Sequence, residues 1–231
     1  MNKQIFILVA LCGTILFSNC KKEDTPVDPG PTKDYLPSTA GSTFTYKSVS
    51  GGGTNTYTLT VTANDTSSNS KTYKILTSTD GVNRYRAKID NNYYQLAAFD
   101  GLNIPSFEDL YLKDNAAVND TWNGAATFPS PLDPTQTINA KLVYTIMEKG
   151  ISKTVEGKSY SDVIHVKLGL SISATIPPIP VPINIDLGGG DYYYSLGVGL
   201  IKSELNISSS NPLVTFPPFN LTETLTAYLI K

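Results

Sequence analysis

The chain has 231 residues, with 18 basic and 20 acidic side chains and a single histidine. A formal net charge of −2 leaves no electrostatic footprint for nucleic acid. Both cysteines, Cys12 and Cys20, fall near the start, so disulfides, cysteine–zinc sites and thiol nucleophiles are excluded for everything beyond.

Residues 1–19 have the layout of a secretory signal peptide: Lys3, an apolar run from Ile5 to Leu11, then Leu16 and Phe17. Gly13, Thr14, Ser18 and Asn19 interrupt the run, and a bilayer needs ~20 apolar residues. Cys20 at the cut site resembles the lipobox of bacterial lipoproteins, although Asn19 stands where that pattern usually has Gly, Ala or Ser. Ser18-Asn19-Cys20-Lys21-Lys22 is similar to lipoproteins of the Bacteroidota. The resemblance implies loss of residues 1–19, a diacylglycerol on Cys20 and acylation of the new amine. The membrane is then a partner through the lipid, since two or more chains at roughly 0.8 kcal/mol per methylene anchor stably. Lys21-Lys22-Glu23-Asp24 resembles a surface-export signal. The implied location is the outer membrane, facing the periplasm or the cell surface, with the surface favoured. The cleaved chain carries 17 basic and 20 acidic groups, because only Lys3 leaves. Residues 20–34 hold Pro26, Pro29 and Pro31 and read as a semi-extended tether of ~3 Å per residue.

Residues 35–231 read as one antiparallel β domain. Strands are expected over 43–46, 56–62, 72–76, 84–89, 93–98, 140–148, 162–173, 191–203 and 221–230, from alternating apolar and polar residues rich in Thr, Tyr and Val. Gly51-Gly52-Gly53, Asp80-Gly81 and Asp90-Asn91-Asn92 supply turn chemistry. Glu148-Lys149-Gly150 and Glu156-Gly157-Lys158 read as hairpin ends. Residues 106–112 fit a turn of helix or a strand. Two stretches repeat in outline. Gly41-Ser42-Thr43-Phe44 matches Asn119-Asp120-Thr121-Trp122, and Lys71-Thr72-Tyr73 matches Lys158-Ser159-Tyr160. Asn83-Arg84-Tyr85-Arg86 then parallels Asp191-Tyr192-Tyr193-Tyr194. A repeat of this kind implies one sheet built from two related meanders.

The chemistry expected of an enzyme is sparse. No G-x-S-x-G, H-E-x-x-H, Walker A or G-x-G-x-x-G pattern occurs. His165 sits beside Lys167 on the polar face of a strand whose other face carries Ile164, Val166, Leu168, Leu170 and Ile172, and it reads as solvated. The arginine pair 84 and 86 likewise reads as solvated surface. Glu108 and Asp109 point to opposite faces if residues 106–112 are a strand, and Glu148 with Glu156 is the other carboxylate pair available to a hydrolase. The expectation is a non-enzyme with no metal, cofactor or catalytic group.

Tyr35-Leu36-Pro37 with Gly41 to Tyr46, Val155 to Val163 and the run Tyr192 to Lys202 resemble segments of Bacteroidota lipoproteins. Related families look like half-barrels of the lipoprotein-carrier type, an open curved sheet around an apolar hollow. The fold expectation is therefore all-β: a single antiparallel curved sheet forming a half-barrel or open barrel, with a closed lipocalin-like barrel or a β-sandwich as the alternative. Residues 174–190 are apolar and proline-dense, so a central strand is unexpected there. They are read as a plug over one mouth of the sheet, as an exposed apolar loop, or as a pocket lining. Ile176, Ile179, Val181, Ile183, Tyr192 and Tyr194 are the candidate ligand-binding residues, and Cys20 is the lipidation site. The functional expectation is a binding lipoprotein for a lipid or other hydrophobic molecule, with a surface role against protein or glycan as the alternative.

Overall fold

A computed structural model of the chain describes residues 34–99, 104–129, 137–174, 183–209 and 218–231. The expected signal peptide, Cys20, nearly all of the expected tether, and Ile176, Ile179 and Val181 lie outside them. The described residues form one antiparallel sheet and no helix. Its strands are β1 (Thr43–Ser50), β2 (Gly53–Ser68), β3 (Lys71–Ser78), β4 (Arg84–Ile89), β5 (Asn92–Phe99) and β6 (Ile104–Lys113), then β7 (Thr121–Pro129), β8 (Thr137–Val155), β9 (Lys158–Ala174), β10 (Ile183–Ser195), β11 (Gly199–Ile207) and β12 (Phe219–Leu229). Residues 106–112 thus belong to a strand.

The spatial order is β6-β5-β4-β3-β2-β1-β12-β11-β10-β9-β8-β7. Two up-and-down meanders, β1–β6 and β7–β12, are joined along the β1–β12 ladder. The sheet curls until β6 and β7 face each other, giving a barrel with one unsealed seam. Side chains cross that seam where a ladder does not. The Trp122 Nε1–H donates to the Leu110 carbonyl at 2.7 Å, and the Tyr144 hydroxyl of β8 donates to Asp109 of β6 at 2.7 Å.

The two meanders repeat one another in detail. In the first, the Gly41 N–H donates to Val61 O at 2.8 Å and the Val61 N–H returns a bond to Ser42 O at 2.9 Å. In the second, the Asn119 N–H donates to Ile146 O at 2.8 Å and the Ile146 N–H to Asp120 O at 3.1 Å. Gly41 and Asn119 both have positive φ, 86° and 73°, which is why Gly and Asn occupy the matching place. A register shift follows at once in each half, after Val61 and after Ile146. The next turns, Asn69-Ser70 and Glu156-Gly157, have positive φ at both central residues, the geometry a two-residue hairpin needs.

Three sequence expectations change. Glu148-Lys149-Gly150 is not a hairpin end; β8 runs through it for 19 residues and absorbs the disturbance as register shifts. The expected strand 191–203 is split by a tight turn at 196–198 into β10 and β11. Residues 183–190 are not loop or plug but the first half of β10, paired with β9 from Ile183 and with β11 as well from Gly188. The last proline of that region is Pro182, so every residue from Ile183 onward keeps its ladder donor. The glycines at 188–190 then let neighbouring backbones come very close: a Cβ on Gly189 would lie 1.8 Å from Leu168 O.

Antiparallel alternation puts the β5–β6, β7–β8, β9–β10 and β11–β12 connections at one end of the barrel. The other end is stopped by the segment leading into β1. Asp34, the last residue of the expected tether, is docked there: its carbonyl accepts from the Gly197 N–H at 2.7 Å and its carboxylate pairs with Lys88 at 3.2 Å. The Tyr35 N–H donates to the Tyr93 hydroxyl at 3.3 Å and its own hydroxyl donates to Asp162 O at 3.1 Å. Gly199 matters here, because a Cβ on it would meet Tyr35 O at 3.1 Å.

Candidate functional site

The inner wall has an apolar sector and a polar one. On the β7–β11 side, Leu142, Leu168, Leu170, Ile172, Ile185, Leu187 and Ile207 are buried against one another. Facing them, the inward residues of β4, β5, β6, β10 and β12 include large polar groups. The strand registers set their order. Arg86 pairs with Gln95, which pairs with Asp109, so the three share one row and one face across β4–β5–β6. Tyr192 pairs with Ser203 and Ser203 with Glu223, a second row across β10–β11–β12. Tyr46 pairs with Tyr57 on β1–β2, their rings stacked at 5.5 Å. Tyr111 of β6 meets Tyr194 of β10 across the barrel at 5.4 Å between ring centroids. That contact closes the interior toward the Asp34 end.

Each interior carboxylate is held by neutral donors. Asp109, 3 % exposed, accepts from Gln95 Nε2 at 2.9 Å and from the Tyr144 hydroxyl at 2.7 Å. Burial raises its pKa above the usual aspartate value, against the pull of those two bonds. Glu223 accepts from the Tyr57 hydroxyl at 2.5 Å and from Ser203 Oγ at 3.3 Å. The tyrosine hydroxyls are all driven toward the neutral form. Burial pushes Tyr46 up to about 12, and burial followed by the Glu223 charge raises Tyr57 further. Tyr111, Tyr192 and Tyr194 are raised chiefly by burial too. The Tyr46 hydroxyl donates to Leu200 O at 2.9 Å, and Arg86 lies near enough to pull its pKa partly back down against burial.

Arg86 and Tyr192 are surrounded by protein yet retain accessible surface. Gln95 and Glu223, on the same wall, are also part-exposed. Together these part-exposed groups form a polar patch on the inner wall. It brings together hydroxyl donors, a guanidinium, the Gln95 amide, the Glu223 carboxylate and aromatic faces, an arrangement suited to holding a small molecule by its polar end.

Of the residues singled out by sequence, Tyr192 and Tyr194 lie on this wall, and Ile183 packs part-buried against the core at the start of β10. The sequence reading missed Arg86, Asp109, Tyr46, Tyr57, Tyr111 and Glu223. Of the only two arginines in the chain, Arg86 is not solvated surface but faces the interior among Tyr46, Tyr57, Tyr111 and Tyr194; Arg84 shares its strand face but stays 33 % exposed, 5.7 Å from the Tyr57 ring. Strand alternation in Arg84-Tyr85-Arg86-Ala87 suggests the opposite phase. The β2–β3 hairpin reverses it by covering the outer face. Tyr73, fully buried, and Ala87 lie outside the main core, and Glu108 on the outside of β6 accepts from Lys71 at 2.7 Å and Tyr73 at 2.6 Å. Glu108 and Asp109 therefore face opposite sides, as their spacing implies.

His165 lies on the outer wall but is not solvated; its side chain is 13 % exposed. Nδ1 meets Glu148 at 3.0 Å and Nε2 meets Asp191 at 2.7 Å, while the ring stacks on Tyr193 at 4.3 Å. Lys153 sits over the Tyr193 ring at 3.4 Å. The two ring nitrogens point to different carboxylates, so they converge on no common ligand. Glu148 and Glu156 are apart, Glu156 pairing with Lys47 at 3.3 Å. Among the described residues, no group of three or more His, Cys, Asp or Glu is placed to hold a metal ion. A separate open depression of about 540 Å³, lined by residues that include Lys113, Asn119, Asp120 and Trp122, lies at the Asp34 end; the Asp120 carboxylate there accepts from the Ala117 N–H.

No protein-family model matches the chain, and no curated protein matches it in sequence. A solved structure of a candidate lipoprotein from Parabacteroides distasonis ATCC 8503 is similar in fold, with a TM-score of 0.52 and 14 % identity, over 84 % of this chain and 98 % of that one.

Proposed function

We propose that the chain is a lipoprotein of the cell envelope, anchored through Cys20, whose near-closed barrel binds an amphipathic small molecule without making or breaking bonds. The observation that supports the binding role is the inner wall, where Arg86 and Tyr192 stand among large polar and aromatic side chains and remain part-exposed. The apolar part of the interior is already filled by its own side chains, so a purely hydrophobic ligand has less to gain than one with a polar end. The anchoring role is supported by the signal-like segment ending in Cys20 and by the fold shared with a candidate lipoprotein. Placement in the outer membrane, with the barrel at the cell surface, is part of the same proposal and rests on the charged run 21–24.

Two measurements test it. Metabolic labelling with a fatty-acid analogue is expected to tag the wild type and not Cys20→Ala; label retained on the variant would overturn the anchor. Native mass spectrometry of the lipoprotein released from membranes is expected to show a co-purified small molecule that denaturation removes. A protein that is always ligand-free would favour contact with protein or glycan instead. Protease shaving of intact cells reads the membrane face.

A further inference from the structure

Arg86 is the strangest group in the interior. Charges withdrawn from water are normally paired, because an unpaired one costs several kcal/mol. Arg84, two residues away, obeys the rule: it meets Asp80 at 3.0 Å and also donates to Val82 O. Arg86 does not. Among the described residues no carboxylate lies within ion-pair distance of it. The ion pairs found are those of Lys47, Lys71, Lys74, Arg84, Lys88, His165 and Lys202. The carboxylates on its own side of the wall are occupied, Asp109 by Gln95 and Tyr144 and Glu223 by Tyr57 and Ser203. Around it stand Tyr46, Tyr57, Tyr111 and Tyr194, which present hydroxyls and rings but no negative charge. A guanidinium cannot shed its proton to escape. It offers five donors in a planar fork, and one tyrosine oxygen in reach satisfies at most a fraction of them.

We infer that Arg86 is an anion anchor: it receives the oxyanion head of a ligand, a carboxylate or a phosphate monoester, whose apolar stem lies among the tyrosine rings of the inner wall. The fork geometry matches two oxygens of such a head. The neighbouring hydroxyls, kept protonated by burial, can donate to the same oxygens. The inference deepens the ligand-binding reading and rests on it.

The chain contains only two arginines, which makes the test direct. Mature lipoprotein carrying ¹⁵N-arginine, held in neutral phosphatidylcholine nanodiscs, should give two Nε–H signals, assigned by the loss of one in Arg86→Gln. Octanoate, octyl phosphate and octanol share one stem and differ in the head, and Trp122 fluorescence reports their binding independently. Both acids are expected to shift the Arg86 signal saturably, and the acid that binds tighter identifies the head. Octanol should leave the signal in place. Arg86→Gln should lose at least about tenfold in affinity for the acids, roughly 1.4 kcal/mol, and none for octanol. The ligand-free variant should melt no lower than wild type, because it sheds an unpaired charge. Equal binding of acids and alcohol with an unmoved Arg86 signal would overturn the anchor and leave the ligand-binding reading standing. Absence of binding by all three would remove both. A variant that melts well below wild type would assign Arg86 to packing and also overturn the inference.

Discussion

Gly189→Ala tests whether the middle of β10 is built as described. Gly189 and Gly169 are register partners on adjacent strands, so the same substitution at the two sites probes one row of the sheet. At Gly189 a new Cβ would lie 1.8 Å from Leu168 O and 2.8 Å from its carbonyl carbon. An ordinary contact starts at 3.4 Å, so the strands must part by 3.4 − 1.8 = 1.6 Å locally. Backbone, not a flexible side chain, is in the way. The change should break about two ladder bonds at ~1 kcal/mol each and add ~1–3 kcal/mol of overpacking strain, about 3–5 kcal/mol in all. For a domain of this size that is a fall of roughly 10–15 °C in Tm. At Gly169 the nearest atom to a new Cβ is Val143 O at 3.8 Å, with no left-handed φ. Gly169→Ala should therefore be neutral or stabilising by up to ~1 kcal/mol, as alanine is stiffer than glycine in the unfolded chain. Urea unfolding followed by far-ultraviolet circular dichroism measures both. A Gly189→Ala protein within ~0.5 kcal/mol of wild type, or one no worse than Gly169→Ala, would refute the close β9–β10 approach.

Three further outcomes follow from named contacts. The pKa of Asp109 is raised by burial above its ordinary 3.8, so the folded state holds that proton more tightly than the unfolded one; the native state is penalised at neutral pH and relieved as pH falls through the folded value toward 3.8. Asp109→Asn, which can keep both bonds if Gln95 turns its amide, should be more stable than wild type at pH ~7, with the difference shrinking in acid; thermal melts across pH read it, and a less stable variant at neutral pH counts against it. Trp122→Phe keeps a ring over Tyr144 but deletes the 2.7 Å bond to Leu110 O, at a cost of ~1–2 kcal/mol, and amide exchange should quicken around Leu110 before it does in β9. Tyr93→Phe removes the hydroxyl that accepts from Tyr35 N–H and donates to Asp114 at 2.7 Å; limited proteolysis should then cut residues 34–41 faster while the barrel core resists.

The fold was largely legible in the sequence because alternation, turn chemistry and spaced aromatics all report locally. The repeat of Gly41-Ser42-Thr43-Phe44 in Asn119-Asp120-Thr121-Trp122 was visible because the same pair of backbone bonds demands a left-handed residue in the same place. The site was mostly hidden. Tyr192 and Tyr194 stood out as aromatics in one register, but Arg86 could not be oriented from its own strand. Alternation offers two phases, and the choice between them was made by Tyr73 and Glu108, residues on β3 and β6. Asp109 was hidden for a related reason: its partners Gln95 and Tyr144 come from β5 and β8, and Tyr144 reaches it only across the closing seam. The proline-rich run misled in the opposite direction, because proline density before residue 183 masks the ladder-competent residues after it.

The joint between β1 and β12 sets how the molecule comes together. Every other ladder links strands that follow one another in the chain, whereas Thr43 must find Leu229 and Ser50 must find Leu221. Each half is thus a string of short-range hairpins, quick to assemble in isolation, and the first is fully synthesised before the second has begun. The slow event is the meeting of the outermost halves at that single long-distance seamline. Until it happens, two six-stranded ribbons each carry bare edges, the state in which such a protein is most exposed to mispairing with its own copies.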